Sequence, residues 1–203
     1  PINKTTSVCR VMGTGQNASH MIAVSADQKR MYTANIGSDT ITAFEFQNVP
    51  PAPSKVTQIP VGKQPEAIDL SPDGAFAYVA AGGADDAVSV FSRNTTSGDA
   101  LNFGKLTYQS ERHEGELSGL GGAASGLDGA RQAMVSPDGQ HLYVASEESD
   151  AVVVFQRNPA TGSLKYLGVH RDEAVSACVQ PTSCVIHSLN GAGAVVADPA
   201  GAN

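Results

Sequence analysis

The chain has 203 residues, enough for one sizeable core or a short repeat array. Only 16% of residues are charged, Trp is absent, and Gly (21) and Pro (11) are frequent, which suits short strands and tight turns rather than a helical bundle. A net charge of −7 without a basic stripe argues against a nucleic-acid binder, and the longest apolar runs fall far short of the roughly 20 residues of a membrane span.

Read in chain order, the sequence begins at Pro1 with no signal-peptide pattern, so a processed product or a fragment is expected. Residues 7–20 (SVCRVMGTGQNASH) resemble residues 56–66 (VTQIPVGKQPE), an outer strand running into the next unit. Three copies of one pattern follow: residues 20–44, 66–91 and 131–155. A Ser opens a turn in each (Ser25, Ser71, Ser136) and a Tyr follows seven residues later (Tyr32, Tyr78, Tyr143). An Asp then introduces the next strand (Asp39, Asp86, Asp150), and a Phe closes it five residues on (Phe44, Phe91, Phe155).

Each copy reads as strand, tight turn, strand, loop, strand. In SPDG, Pro fixes φ, Asp bonds its own backbone and Gly accepts a positive φ. The flanking runs, such as MIAVS with MYTA and AMVS with LYVA, are alternating or β-branched. A fourth strand is expected at residues 55–61, 101–109 and 164–170, making a unit of four antiparallel strands. The turn serines are 46 and then 65 residues apart, against a blade period of about 40–50 in propellers. The surplus lies in a polar, Gly-rich insertion at residues 110–129, whose composition favours a mobile loop.

These features predict an all-β β-propeller with about three complete four-stranded blades (residues 20–61, 66–109 and 131–170). Partial blades are expected at residues 1–19 and 185–203, because residues 191–203 align with residues 129–141. Blades bury their faces only against neighbouring blades. Completion by more polypeptide is therefore expected, from a longer parent chain, a cleaved partner or a second copy. Cys178 and Cys184 in CVQPTSC form a plausible local disulfide in an oxidising compartment, leaving Cys9 unpaired.

The motifs PEAIDLSPDG, AYVAAG, ARQAMVSPDGQHLYVAS and DAVVVFQRNPATGSLKYLG resemble the lactonase-type and YVTN-type seven-bladed propellers, in their bacterial, exported members. The resemblance covers roughly residues 7–203 and implies a secreted or periplasmic location. His20, Glu66 and Arg131 each stand five residues before the turn Ser, at the start of a strand lining the channel. Propeller lactonases resemble this in placing His, Glu and Arg around the channel mouth, where a base activates water and Arg stabilises an oxyanion. The competing reading is that repeats simply vary polar residues at a solvated mouth.

His113, His141, His170 and His187 form no HxH or HxxxH pair, so neither a metal site nor a cofactor is expected. The recurrent aspartates read as turn caps rather than calcium ligands. The favoured function is a binding or scaffold module recognising a protein or small ligand on one face of the ring. The alternative is a lactonase-like hydrolase using His20, Glu66 and Arg131.

Overall fold

Each copy of the repeat folds into one sheet. The computed structural model describes residues 19–46, 53–96, 99, 102–118, 122–171 and 191–195. The first sheet runs β1 (Ser19–Val24), β2 (Arg30–Asn35), β3 (Thr40–Phe46), β4 (Pro53–Pro60). The second runs β5 (Pro65–Leu70), β6 (Phe76–Ala81), β7 (Ala87–Arg93), β8 (Leu106–His113). A two-stranded ribbon, β9 (Leu117–Ser118) with β10 (Gly122–Ala123), precedes the third sheet of β11 (Ala130–Val135), β12 (His141–Ser146), β13 (Ala151–Arg157) and β14 (Leu164–Arg171). All pairings are antiparallel and sequential, so the architecture is all-β: three blades of a partial β-propeller.

The turn between the first two strands is built alike in every blade. The hydroxyl of Ser71 donates to Asp73 Oδ1 at 2.5 Å and accepts the Phe76 amide at 3.0 Å. Ser25 does the same with Asp27 and the Arg30 amide, and Ser136 with Asp138 and the His141 amide. Gly74 and Gly139 take the positive φ that the turn needs (68° and 71°), whereas the first blade forces Gln28 to φ 58°.

Apolar clusters fill both junctions. Ala23, Tyr32 and Ile41 of the first blade pack against Ile68, Val79 and Phe91 of the second. Tyr78, Val88 and Val90 of the second pack against Val135, Leu142 and Val153 of the third. Phe44, Phe91 and Phe155 are fully buried, each worth roughly 1.5–3 kcal/mol of transfer free energy.

A polar latch crosses both junctions. The buried Tyr32 hydroxyl donates to the Gly104 carbonyl of the next blade at 2.5 Å and accepts Arg93 Nε at 2.8 Å. Tyr78 repeats this with the Gly162 carbonyl (3.0 Å) and Arg157 Nε (2.6 Å). Each arginine is also anchored in its own blade, Arg93 on the Gly74 carbonyl and Arg157 on the Gly139 carbonyl.

The recurrent aspartates make a second set of ties. Asp39, Asp86 and Asp150 all adopt positive φ (53°, 38° and 47°). Their Oδ1 atoms accept the amides of Gln64, Gly129 and Gly191, at 2.9, 3.0 and 2.6 Å. Asp39 and Asp86 are thus more than local turn caps: they hold the chain that leads into the following inner strand, and Asp150 holds Gly191 by the same bond.

Two elements differ from the sequence expectation. The outer strand of the second blade starts at Leu106, not at residue 101, because Asn102–Gly104 forms the hairpin turn that delivers the Gly104 carbonyl to Tyr32. That strand then continues to His113, into the stretch read as an insertion. The described residues after it are also organised: the Leu127 amide donates to Glu114 Oε2 at 2.6 Å, and Leu127 and Ala124 are buried among the second and third blades. The outer strand expected at residues 7–19, the three cysteines and His187 lie outside the described residues, apart from Ser19 in β1.

Candidate functional site

The inner strands β1, β5 and β11 lie side by side, and each carries an irregularity at the same point. In β5 the register jumps between Pro65↔Ala81 and Ala67↔Ala80, leaving Glu66 as the bulged residue. In β11 it jumps between Ala130↔Ser146 and Gln132↔Ala145, leaving Arg131. In β1 the shift falls between Ser19 and Ile22, the span that contains His20. A bulge inserts an unpaired residue, bends the strand and re-aims the side chain. The three residues equivalent by spacing therefore occupy three equivalent backbone irregularities.

The bulges bring two of these side chains into contact. Arg131 Nη1 donates to Glu66 Oε1 at 3.0 Å, across the junction between the second and third blades. Arg131 Nε donates to Glu147 Oε2, from the loop after β12. Glu66 is buried, whereas the Arg131 and Glu147 side chains are close to half exposed (40% and 44%). One guanidinium thus sits between a buried and an accessible carboxylate. His20 is placed in β1 by its backbone, and its side chain lies outside what is described.

Glu147 escaped the reading by repeats. It occupies the position of Ile36 in the first blade and Gly82 in the second. An acid that breaks the repeat, opposite an arginine that stands at a recurring inner-strand position, is the signal that would have marked it. Next to it, Gln132 Oε1 accepts the Val195 amide at 2.5 Å, tying the incoming chain to the third inner strand.

The remaining histidines lie elsewhere. His113, in β8, has Nε2 3.3 Å from Glu111 Oε2 and Nδ1 3.0 Å from the Asp85 carbonyl. His141 follows the third turn with its ring 6.3 Å from that of Tyr143, and His170 is exposed on β14. Among the described residues no group of three or more His, Cys, Asp or Glu side chains is arranged to hold a metal ion. No helix among them is long and apolar enough to cross a membrane.

In solved structures the same fold recurs. A protein assigned as a 6-phosphogluconolactonase from Bacteroides fragilis superposes with a TM-score of 0.60 at 22% identity, over 74% of this chain and 38% of its own. The periplasmic gluconolactonase of Pseudomonas aeruginosa gives 0.54 at 24% identity, over 73% and 38%. A second assigned 6-phosphogluconolactonase, from Bacteroides uniformis, gives 0.58 at 21%, over 71% and 38%. At these identities the likeness establishes the fold, and this chain spans well under half the length of each relative. No curated protein matches the sequence. The family described as lactonase, 7-bladed β-propeller, matches residues 3–107 and 104–181. With its repeats, its blades and that match over most of its length, the chain belongs to the lactonase seven-bladed β-propeller family.

Proposed function

We propose that this chain contributes part of a lactone-hydrolysing site at the mouth of a propeller channel. The observation that carries the reading is the contact of Arg131 with both Glu66, the bulged residue of the adjacent inner strand, and Glu147, from the loop after β12. The relatives' assignments as gluconolactonases point to a sugar-acid lactone as the substrate class.

Hydrolysis of such a ring needs a base to take a proton from water and a cation to meet the oxyanion of the carbonyl under attack. Glu147 is the accessible carboxylate and fits the base. Arg131 fits the cation, and buried Glu66 fixes its guanidinium from behind. Collapse of the tetrahedral intermediate breaks the bond to the ring oxygen, which takes up a proton as the alcohol of the open acid. His20 is proposed as a further member from the first blade.

The test is hydrolysis of glucono-1,5-lactone followed by acid release. Arg131→Ala should lower kcat/KM by about 100-fold or more while the circular dichroism spectrum is retained. No hydrolysis above the spontaneous rate by the unsubstituted protein would remove the enzyme reading.

A binding or scaffold module remains the second reading, favoured by one observation: two carboxylates already neutralise Arg131. Three blades cover only part of a seven-bladed ring, so completion by further blade polypeptide is proposed in either case. A monodisperse particle of 20.9 kDa in solution would overturn that proposal. Secretion or a periplasmic location is proposed on the Pseudomonas aeruginosa relative and on the CVQPTSC cysteine pair.

A further inference from the structure

We propose that Asp86 of the second blade regulates the Arg131–Glu147 pair of the third. Through the Asp128–Gly129 step it clamps the loop that carries Glu147, and the clamp loosens when Asp86 and Asp128 are both ionised. The inference rests on the site reading given above and adds its control by pH.

The clamp is built from backbone bonds. The Asp86 carbonyl accepts the Glu114 amide at 3.0 Å, and its carboxylate accepts the Gly129 amide at 3.0 Å. One residue thus holds both ends of the stretch between β8 and β11, which Glu114 also ties to itself through the Leu127 amide. The loop after β12 hangs from the far end. The Glu147 amide donates to the Gly129 carbonyl at 2.9 Å, and the Ser149 amide to the Asp128 carbonyl at 3.1 Å. Packing there is tight: a Cβ at Gly129 would stand 2.7 Å from the Glu148 amide nitrogen. A shift of this step therefore displaces Glu147 from Arg131 Nε, to which it is bonded.

The preceding junction has the same frame with the opposite charge pattern. Gln64 stands where Gly129 does: its amide goes to Asp39, and its carbonyl accepts the Gly82 amide at 3.3 Å. The residue before it is Lys63, whose Nζ reaches Asp39 Oδ2 at 2.7 Å. At the junction that holds Glu66, Arg131 and Glu147, that place is taken by Asp128, so Asp86 meets a second carboxyl instead of an ammonium. The charged groups around Asp86 are Asp128 and Glu114 on the stretch, Glu147 and Glu148 on the loop beyond Gly129, and Asp85 on its own blade, whose carbonyl faces His113.

The two aspartates accordingly shift in opposite directions. The hydrogen bond from Lys63 holds the Asp39 carboxyl below its usual range. Burial first, then Asp128 and Glu114, outweigh the Gly129 amide and raise that of Asp86. With one proton between them the Asp86 and Asp128 carboxyls hydrogen-bond, and without it they repel. The closed clamp binds that proton more tightly than an open one, so it is intact in acid and loosens as pH climbs through the raised value.

Amide hydrogen exchange of the whole chain, read as protection factors from about pH 4 to about pH 8, tests the clamp. The Glu147 and Ser149 amides should lose roughly 3- to 10-fold in protection across that span. Gly82, the matching amide of the Lys63 junction, should keep its own. Asp128 is exposed, and Asp128→Lys copies the first junction and should abolish the loss. Asp128→Asn, which keeps a hydrogen bond to Asp86 without the second charge, should abolish it too. Protection at Glu147 and Ser149 that does not change with pH overturns the inference, as does an equal loss at Gly82 or a loss that persists in both variants. In the lactone assay kcat of the parent should fall over the same span, and that of Asp128→Lys should not. Absence of hydrolysis removes the site reading, whereas the exchange data decide the clamp, so the two failures are distinguishable.

Discussion

Asp69 sits at the junction of the second and third blades, where its carboxylate accepts the Val135 amide at 2.9 Å and the Leu70 amide at 2.8 Å. Burial pushes this carboxyl above its usual range, and the two amides only partly oppose the rise. The folded state therefore holds the proton more tightly than the unfolded one. The associated stability is complete below about pH 4 and is lost as pH climbs through the raised value. Asp73 has the opposite sign. Burial alone would raise it, but the Ser71 hydroxyl, the Ala75 amide and Arg157 outweigh burial and hold it below its usual value. Its contribution is present above about pH 4 and is lost on acidification. Asp69→Asn keeps an acceptor oxygen and removes the charge. Urea unfolding between pH 4 and pH 7 should show the Asn variant gaining stability relative to the parent as pH rises. Parallel curves would refute this account.

The recurrent residues stood out in the sequence because they repeat, yet their partners did not. Ser71 acts within five residues, so its turn could be reasoned from spacing. Tyr32 and Tyr78 act on glycines 72 and 84 residues away, a distance that no local pattern encodes. Glu66 and Arg131 were legible as equivalent positions, whereas Glu147 departs from the repeat and enters the cluster only through the folded loop.

Among the elements, the stretch after β8 departs most from its composition. Its polar, glycine-rich sequence suggests a mobile loop, but Leu127 is fully buried and packs with the core shared by the second and third blades. That apolar anchor, with the Glu114 bond to its amide, ties the described part of the stretch to the two blades. Leu127→Ala should destabilise the protein by about 2–5 kcal/mol in denaturant unfolding. A loss below about 0.5 kcal/mol, as for an ordinary surface site, would mean that the stretch is not docked. The bulges are the other element-level feature. Alternation along MIAV, EAIDL and RQAMV predicted strands, but a one-residue insertion into the ladder changes no hydrophobic pattern outside itself and left no trace in the sequence.

For the molecule as a whole, the two ends of the array differ. Ile22 and Val24 of the first blade are 53% and 50% exposed. Their equivalents Ile68, Ala133 and Val135 are buried against a preceding blade. The first blade therefore presents an apolar face prepared for a neighbour. The chain should associate with rising concentration in light scattering. Ile22→Lys with Val24→Lys should suppress that association while changing the unfolding free energy by less than about 0.5 kcal/mol. Undiminished association would place the contact elsewhere. The blade count was readable from the repeat because each blade is one local unit. The ring was not, because closure is a property of faces rather than of periods.

The aspartate ties also bear on how the array carries load. Asp39 and Asp86 each join a loop of one blade to the chain entering the next, so these ties lie in series along the polypeptide. A pull on the two ends meets at each junction that bond of side chain to backbone, the tyrosine latch and the apolar cluster, and no strand ladder between blades. Such a chain yields junction by junction, and the blades come apart as separate steps rather than in one rupture.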